Sequence, residues 1–193
     1  MKKIIPLVTV AILFFASSTK AQIQRGNLLV GADIANFQLS LNSGGNYDIS
    51  LDPKVAFFIK NNLAIGPYVR LDLSGAKDAG TDIGYGVGAF GRYYVNDSTI
   101  NLLKHARFFA EANVGIEGYN PSVGDNTNGL GIGFGPGFAY FITENIGLET
   151  LLKYNGIIGF GSSTTSSALT LSFGFQIYLG SARARSAITN PNQ

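Results

Sequence analysis

Counting from the turn ends, Lys54, Arg92, Glu111 and Glu149 each lie three or four residues into a segment of alternating character. Each sits among the small residues of its segment, not among the apolar ones. Arg70, Lys153 and Asp52 come slightly further in, and Asp48, Asp72 and Glu117 further still. If these segments are neighbouring strands of a closed sheet, two positive and two negative charges meet at about one level. Charges taken out of water need partners, because an unpaired buried charge is costly. A selective pore more often carries rings of one sign. The expected chemistry of Lys54, Arg70, Arg92, Glu111, Glu149 and Lys153 is therefore an interior ion-pair layer. It would act as an ionic plug, the preferred reading, or as the gate of a narrow conduit.

Other residues with chemical potential are fewer. The chain has no cysteine, which excludes disulfides, thiolate nucleophiles and Cys-based metal sites. His105 is the one histidine, and it falls in a turn with no serine placed to use it as a base. Gly86-Val87-Gly88-Ala89-Phe90-Gly91 matches G-x-G-x-x-G, but a dinucleotide site needs a strand before it and a helix after it. Here it lies inside an alternating run that continues through Arg92 and Tyr93, so the glycines read as space-makers. Asp125, Asn126 and Asn128 resemble an ordinary polar loop more than a cation site. No catalytic residue, cofactor or metal is expected.

The elements that must position the charges are strands. Ile49, Leu51, Val55 and Phe57 alternate with Ser50, Asp52, Lys54 and Ala56; after Lys60-Asn61-Asn62, Leu63, Ile65, Val69, Leu71 and Leu73 alternate with Ala64, Gly66, Arg70 and Asp72. A period of two on both sides of a polar break is a β-hairpin. Each arm has about ten alternating residues, the length of a tilted strand that crosses a bilayer. The hairpin recurs: Pro53, Ala56, Phe58, Ile59 and Asn62 match Pro136, Ala139, Phe141, Ile142 and Asn145 at an offset of 83. Eight such strands are expected, the first over about 26–41, with connections at 42–46, 59–62, 75–82, 96–106, 120–127, 143–145 and 156–166. An even count closes an up-and-down barrel without an exposed edge. Pro53, Pro67 and Pro136 lack a ladder donor, so bulges or local irregularity are expected there.

Lys2 and Lys3 precede an apolar run from Ile4 to Phe15, followed by small residues to Ala21. This reads as a secretory signal over 1–21, with one barrel domain over 22–180 and a tail over 181–193. Removing Lys2, Lys3 and Lys20 leaves eleven basic residues against twelve acidic, a net charge of −1, so no nucleic-acid partner is implied. Charged residues make up 13% of the chain, about half the usual share. A soluble carrier barrel would show a polar face rich in Lys and Glu. Here that face is Gly, Ala, Ser and Asn with isolated charges, which suits the crowded interior of an eight-stranded barrel. Tyr47, Tyr85 and Tyr154 fall on the apolar face near the loop ends, and Phe57, Tyr93, Phe108 and Tyr140 near the turn ends. Two such aromatic girdles mark bilayer interfaces.

Asp52-Pro53-Lys54-Val55-Ala56-Phe57-Phe58, Asn62-Leu63-Ala64-Ile65-Gly66 and the echo Gly135-Pro136-Gly137-Phe138-Ala139-Tyr140-Phe141 carry a resemblance. The chain resembles the small eight-stranded outer-membrane β-barrel family of OmpX and the OmpA barrel domain, and the porin-family barrels of Bacteroidetes. The resemblance covers the signal and residues 26–179. It implies a Gram-negative outer-membrane location and a monomer among outer-membrane lipid and lipopolysaccharide. Phe175-Gln176-Ile177-Tyr178-Leu179 resembles the terminal aromatic strand through which the outer-membrane assembly machinery recognises such barrels. The expected role is structural or interactive, through exposed loops and without catalysis. A narrow channel for small solutes is the alternative, and a barrel enzyme acting on lipid a further one.

Overall fold

The alternating segments form eight antiparallel strands in the computed structural model, which describes residues 23–39, 46–76, 80–95, 105–123, 126–160 and 165–180. They are β1 (Leu28–Leu39), β2 (Asn46–Lys60), β3 (Leu63–Ala76), β4 (Gly80–Tyr94), β5 (Ala106–Asn120), β6 (Thr127–Thr143), β7 (Ile146–Gly159) and β8 (Thr165–Leu179). Each strand pairs with the next, and β8 pairs back onto β1, so the sheet closes into an all-antiparallel barrel. Closure leaves no unpaired edge, which is how an all-β chain avoids sheet-to-sheet association. The signal, the tail and Asp125 lie outside the described residues.

Side-chain direction follows the period of two. Ile65, Val69, Leu71, Val87, Val114, Ile116, Ile132 and Phe134 are exposed on the outer face, while Lys54, Arg92, Glu111, Glu149 and Lys153 are buried inside. The strands run further than the sequence pattern indicates at the loop ends. Gly75 belongs to β3 and pairs with Thr81 in β4, not to a loop; β7 extends to Gly159. Polar residues there keep ladder geometry because the neighbouring strand supplies their backbone partners.

The repeated hairpin is visible as internal symmetry. The register slips by one between Phe58 and Lys60, and again between Phe141 and Thr143. The Asn62 carbonyl accepts the Tyr94 N–H at 2.8 Å, and the Asn145 carbonyl accepts the Tyr178 N–H at 2.7 Å. The two tyrosines then meet across the lumen, hydroxyl to hydroxyl, at 2.7 Å. Asn62 has φ +66°, a left-handed conformation that asparagine tolerates better than most residues.

The prolines show local irregularity without a bulge. Register shifts occur at the turn ends and between Ala35 and Gln38, not at Pro53, Pro67 or Pro136. Ala32 pairs with Pro53, Ala89 with Pro67 and Ala110 with Pro136, each in unbroken register. On the other flank the pairs that would take in Pro53, Pro67 and Pro136 are skipped, and pairing resumes at the same offset. A single strand residue aims its N–H at one neighbour only, so each proline costs the ladder one side without needing an inserted residue.

At the turn end, Phe58, Tyr94, Phe109, Phe141 and Tyr178 fill the interior. Ring centroids lie 5.5 Å apart for Tyr94–Phe109 and 5.1 Å for Phe141–Tyr178. Glycines opposite large side chains make the space. A Cβ at Gly86 would lie 2.9 Å from Glu117 Cγ, and one at Gly137 would fall on the Phe109 ring. Gly137→Ala should therefore lower stability by about 1–3 kcal/mol through overpacking. Gly180→Ala, where nothing lies within 4 Å, should be neutral. Urea unfolding in lipid vesicles reads both, and equal midpoints would contradict the packing assignment.

Candidate functional site

The interior charges form one connected network above the aromatic cluster. Arg92 and Glu111 are cross-strand partners on β4 and β5. The Arg92 guanidinium donates to Glu111 Oε2 from Nη2 at 2.7 Å and from Nε at 3.0 Å, and from Nη1 to Glu149 Oε2 at 2.5 Å. Its Cζ lies 4.1 Å from the Phe109 ring centroid, which adds a cation–π contact in a desolvated setting. Arg92 is 0% exposed, so these groups replace its entire hydration shell. Tyr178 donates its hydroxyl to Glu149 Oε1 at 2.5 Å, tying the aromatic cluster to the charges.

Lys54 Nζ lies 2.6 Å from Asp33 Oδ2 and 3.1 Å from Glu111 Oε1. Glu111 is the hub: Lys54, Arg92 and, at 3.7 Å, Lys153 all converge on it. Lys153 also lies 3.8 Å from Asp52. One step toward the loops, Arg70 bridges Asp52 at 3.2 Å and Glu117 at 3.0 Å. Tyr68 donates to Glu117 at 3.0 Å and accepts from Asn113 Nδ2 at 3.0 Å. Asp33 and Asp52 are direct cross-strand partners, a repulsive pairing on its own. Lys54 on one side and Arg70 with Lys153 on the other separate the two carboxylates electrostatically.

All six residues singled out in the sequence, Lys54, Arg70, Arg92, Glu111, Glu149 and Lys153, thus stand inside the barrel and in this network. Asp52 and Glu117 join them. Asp33, Tyr68, Tyr94 and Gln176 belong to it as well. Gln176 donates to Asp33 Oδ1 at 2.8 Å across the β1–β8 seam. Asp33 alternates with Ala32 and Ile34, so its parity was available as a signal. Its level was not, because no preceding turn fixes where β1 begins.

The seven aromatic positions stand on the outer face. Tyr85, Tyr154, Phe57, Tyr93, Phe108 and Tyr140 are exposed and Tyr47 is half-buried. Near the loop ends, the Tyr47 hydroxyl meets Thr81 Oγ1 at 2.6 Å and Tyr85 donates to Asn128 Oδ1 at 2.7 Å. The remaining motifs have plain structural settings. Gly86–Gly91 lies within β4, and His105 stands in the turn before β5, where its carbonyl accepts the Phe141 N–H at 2.8 Å.

Among solved structures the chain is similar to neisserial surface protein A, with a TM-score of 0.53 and 17% identity over 78% of this chain and 95% of that one. It is also similar to the outer membrane protein OprG of Pseudomonas aeruginosa, with a TM-score of 0.50 and 9% identity over 83% and 99%. No protein-family model and no curated protein matches the sequence. At these identities the likeness is one of fold, and the fold is that of the small eight-stranded outer-membrane β-barrels.

Proposed function

We propose that this chain is an integral outer-membrane barrel whose lumen is closed by its ionic network and which works through its exposed loops. The observation that carries this reading is the inversion of polarity across one wall. Exposed Val, Ile, Leu and Phe cover the outside, and at least four cations and five carboxylates are paired inside. Such an outer face is stable in hydrocarbon, and the two aromatic girdles fit the headgroup levels. Opposite charges that satisfy one another leave no single-sign ring to select a solute. On this reading the barrel is a monomer bedded in lipid and lipopolysaccharide, placed there by the outer-membrane assembly machinery. No catalytic role is assigned to any residue.

Fractionation with gel mobility before and after boiling tests the placement. The folded chain should sediment with the outer membrane and change mobility only on heating. Recovery in the osmotic-shock supernatant with no mobility change would overturn the reading.

A further inference from the structure

Residues 23–27 precede β1 and belong to no strand, yet they are fixed to the turn end of the barrel. Ile23 is 5% exposed and shares the buried interior cluster with Leu29, Phe58, Tyr94 and Tyr178. Its carbonyl accepts the Asn62 N–H at 3.0 Å. The Arg25 N–H donates to Asn61 Oδ1 at 3.0 Å, and the Gly26 N–H to the Phe58 carbonyl at 2.8 Å. Gly26 takes φ +89° to make this bend, a conformation open to a residue without Cβ. A segment that merely trailed from β1 would leave an isoleucine in water and its backbone bonded to solvent.

We propose that residues 23–27 form a cork that seals the turn-end mouth of the lumen. Ile23 is the wedge, and the Asn61-Asn62 turn is the latch. The Asn61-Asn62 pair is suited to this task. Its side chain holds Arg25, its amide holds Ile23, and its carbonyl holds Tyr94. The lumen then has two barriers in series, an apolar cork and aromatic cluster at the turn end and the ionic layer above them. This deepens the closed-lumen reading, and its test is separate from conductance, which the ionic layer alone can block.

The chain has no cysteine, so Ala64→Cys places a single thiol in the cluster that Ile23 caps; Ala64 is fully buried there. The probe is a small charged methanethiosulfonate, applied to residues 22–193 folded in detergent micelles. The Ala64→Cys thiol should react slowly. Added Ile23→Asp, or removal of residues 22–25, should each speed the reaction about tenfold or more, as local opening becomes unnecessary. Ile23→Leu should leave it slow. Each preparation is first shown folded by its heat-dependent gel mobility. Fast reaction with the cork intact, or an unchanged rate in both cork variants, would overturn the proposal. Failure of both variants to fold would also overturn it, by making the segment part of the barrel and not a separable cork. A non-conducting wild-type barrel with a fast thiol would overturn the cork and leave the ionic closure standing, whereas steady wild-type conductance would contradict both, because the two barriers stand in series.

Discussion

Arg92→Ala lowers the stability of the folded barrel by about 3–5 kcal/mol, the cost of leaving buried charges without their partner. The guanidinium is fully buried and holds two carboxylates, Glu111 and Glu149. Without it Glu149 keeps the Tyr178 hydroxyl, and Glu111 keeps Lys54 and the more distant Lys153. Glu149 loses its closest cation and Glu111 one of three. The double variant Arg92→Ala with Glu111→Ala should cost less than the sum of its parts, because the second change removes a charge that the first left short of a partner. Arg92→Met separates charge from volume: it restores most of the packing against Phe109 and should recover only a minor part of the loss. Unfolding midpoints in lipid vesicles report the wild type, the two single alanine variants, the double variant and Arg92→Met. Additive single-site effects of less than about 1 kcal/mol, as at an exposed pair, would mean that the network is hydrated and not closed.

Ile132→Arg is the second large effect. Ile132 lies mid-strand in β6, 39% exposed on the outer face, paired with Val114 and Gly156. A charge at that depth of a bilayer costs about 2–4 kcal/mol. The same substitution in a soluble barrel would meet water and be nearly neutral. Folding yield in vesicles should therefore fall for Ile132→Arg while refolding in mild detergent survives. Equal yields in both media for wild type and variant would place water, not lipid, on this face.

Much of this arrangement was legible because a strand has a period of two and a closed barrel must put one parity inside. Lys54, Arg92, Glu111 and Glu149 could be assigned to one level by counting from turns that the residues themselves mark, and the hairpin repeat gave a second ruler at an offset of 83. What could not be counted was missed. Asp33 lies on β1, which no turn precedes, and its partner Gln176 is 143 residues away across the closing seam. Tyr94 is not singled out by the pattern and Tyr178 reads only as part of the last strand, yet their hydroxyls lie 2.7 Å apart; only the closed barrel brings the two repeats face to face. At the prolines the expected irregularity takes the form of skipped pairs on one flank and not of a bulge. A missing donor is a defect only on the side where the N–H would have pointed, and the alternation of ladder bonds decides that side. Gly75 looked like loop by composition and is strand by pairing with Thr81. Ile23 gave no periodic signal, since its burial comes from the β2–β3 turn folding beneath the segment.

Conductance across a planar lipid bilayer tests the closed lumen most directly. The intact protein should insert and show no steady current in salt, because among the described residues Lys54, Arg70, Arg92 and Lys153 pair with Asp33, Asp52, Glu111, Glu117 and Glu149 inside the lumen. Steady, reproducible current from the wild-type chain, unaltered by Arg92→Ala, would contradict this account and make the barrel a channel.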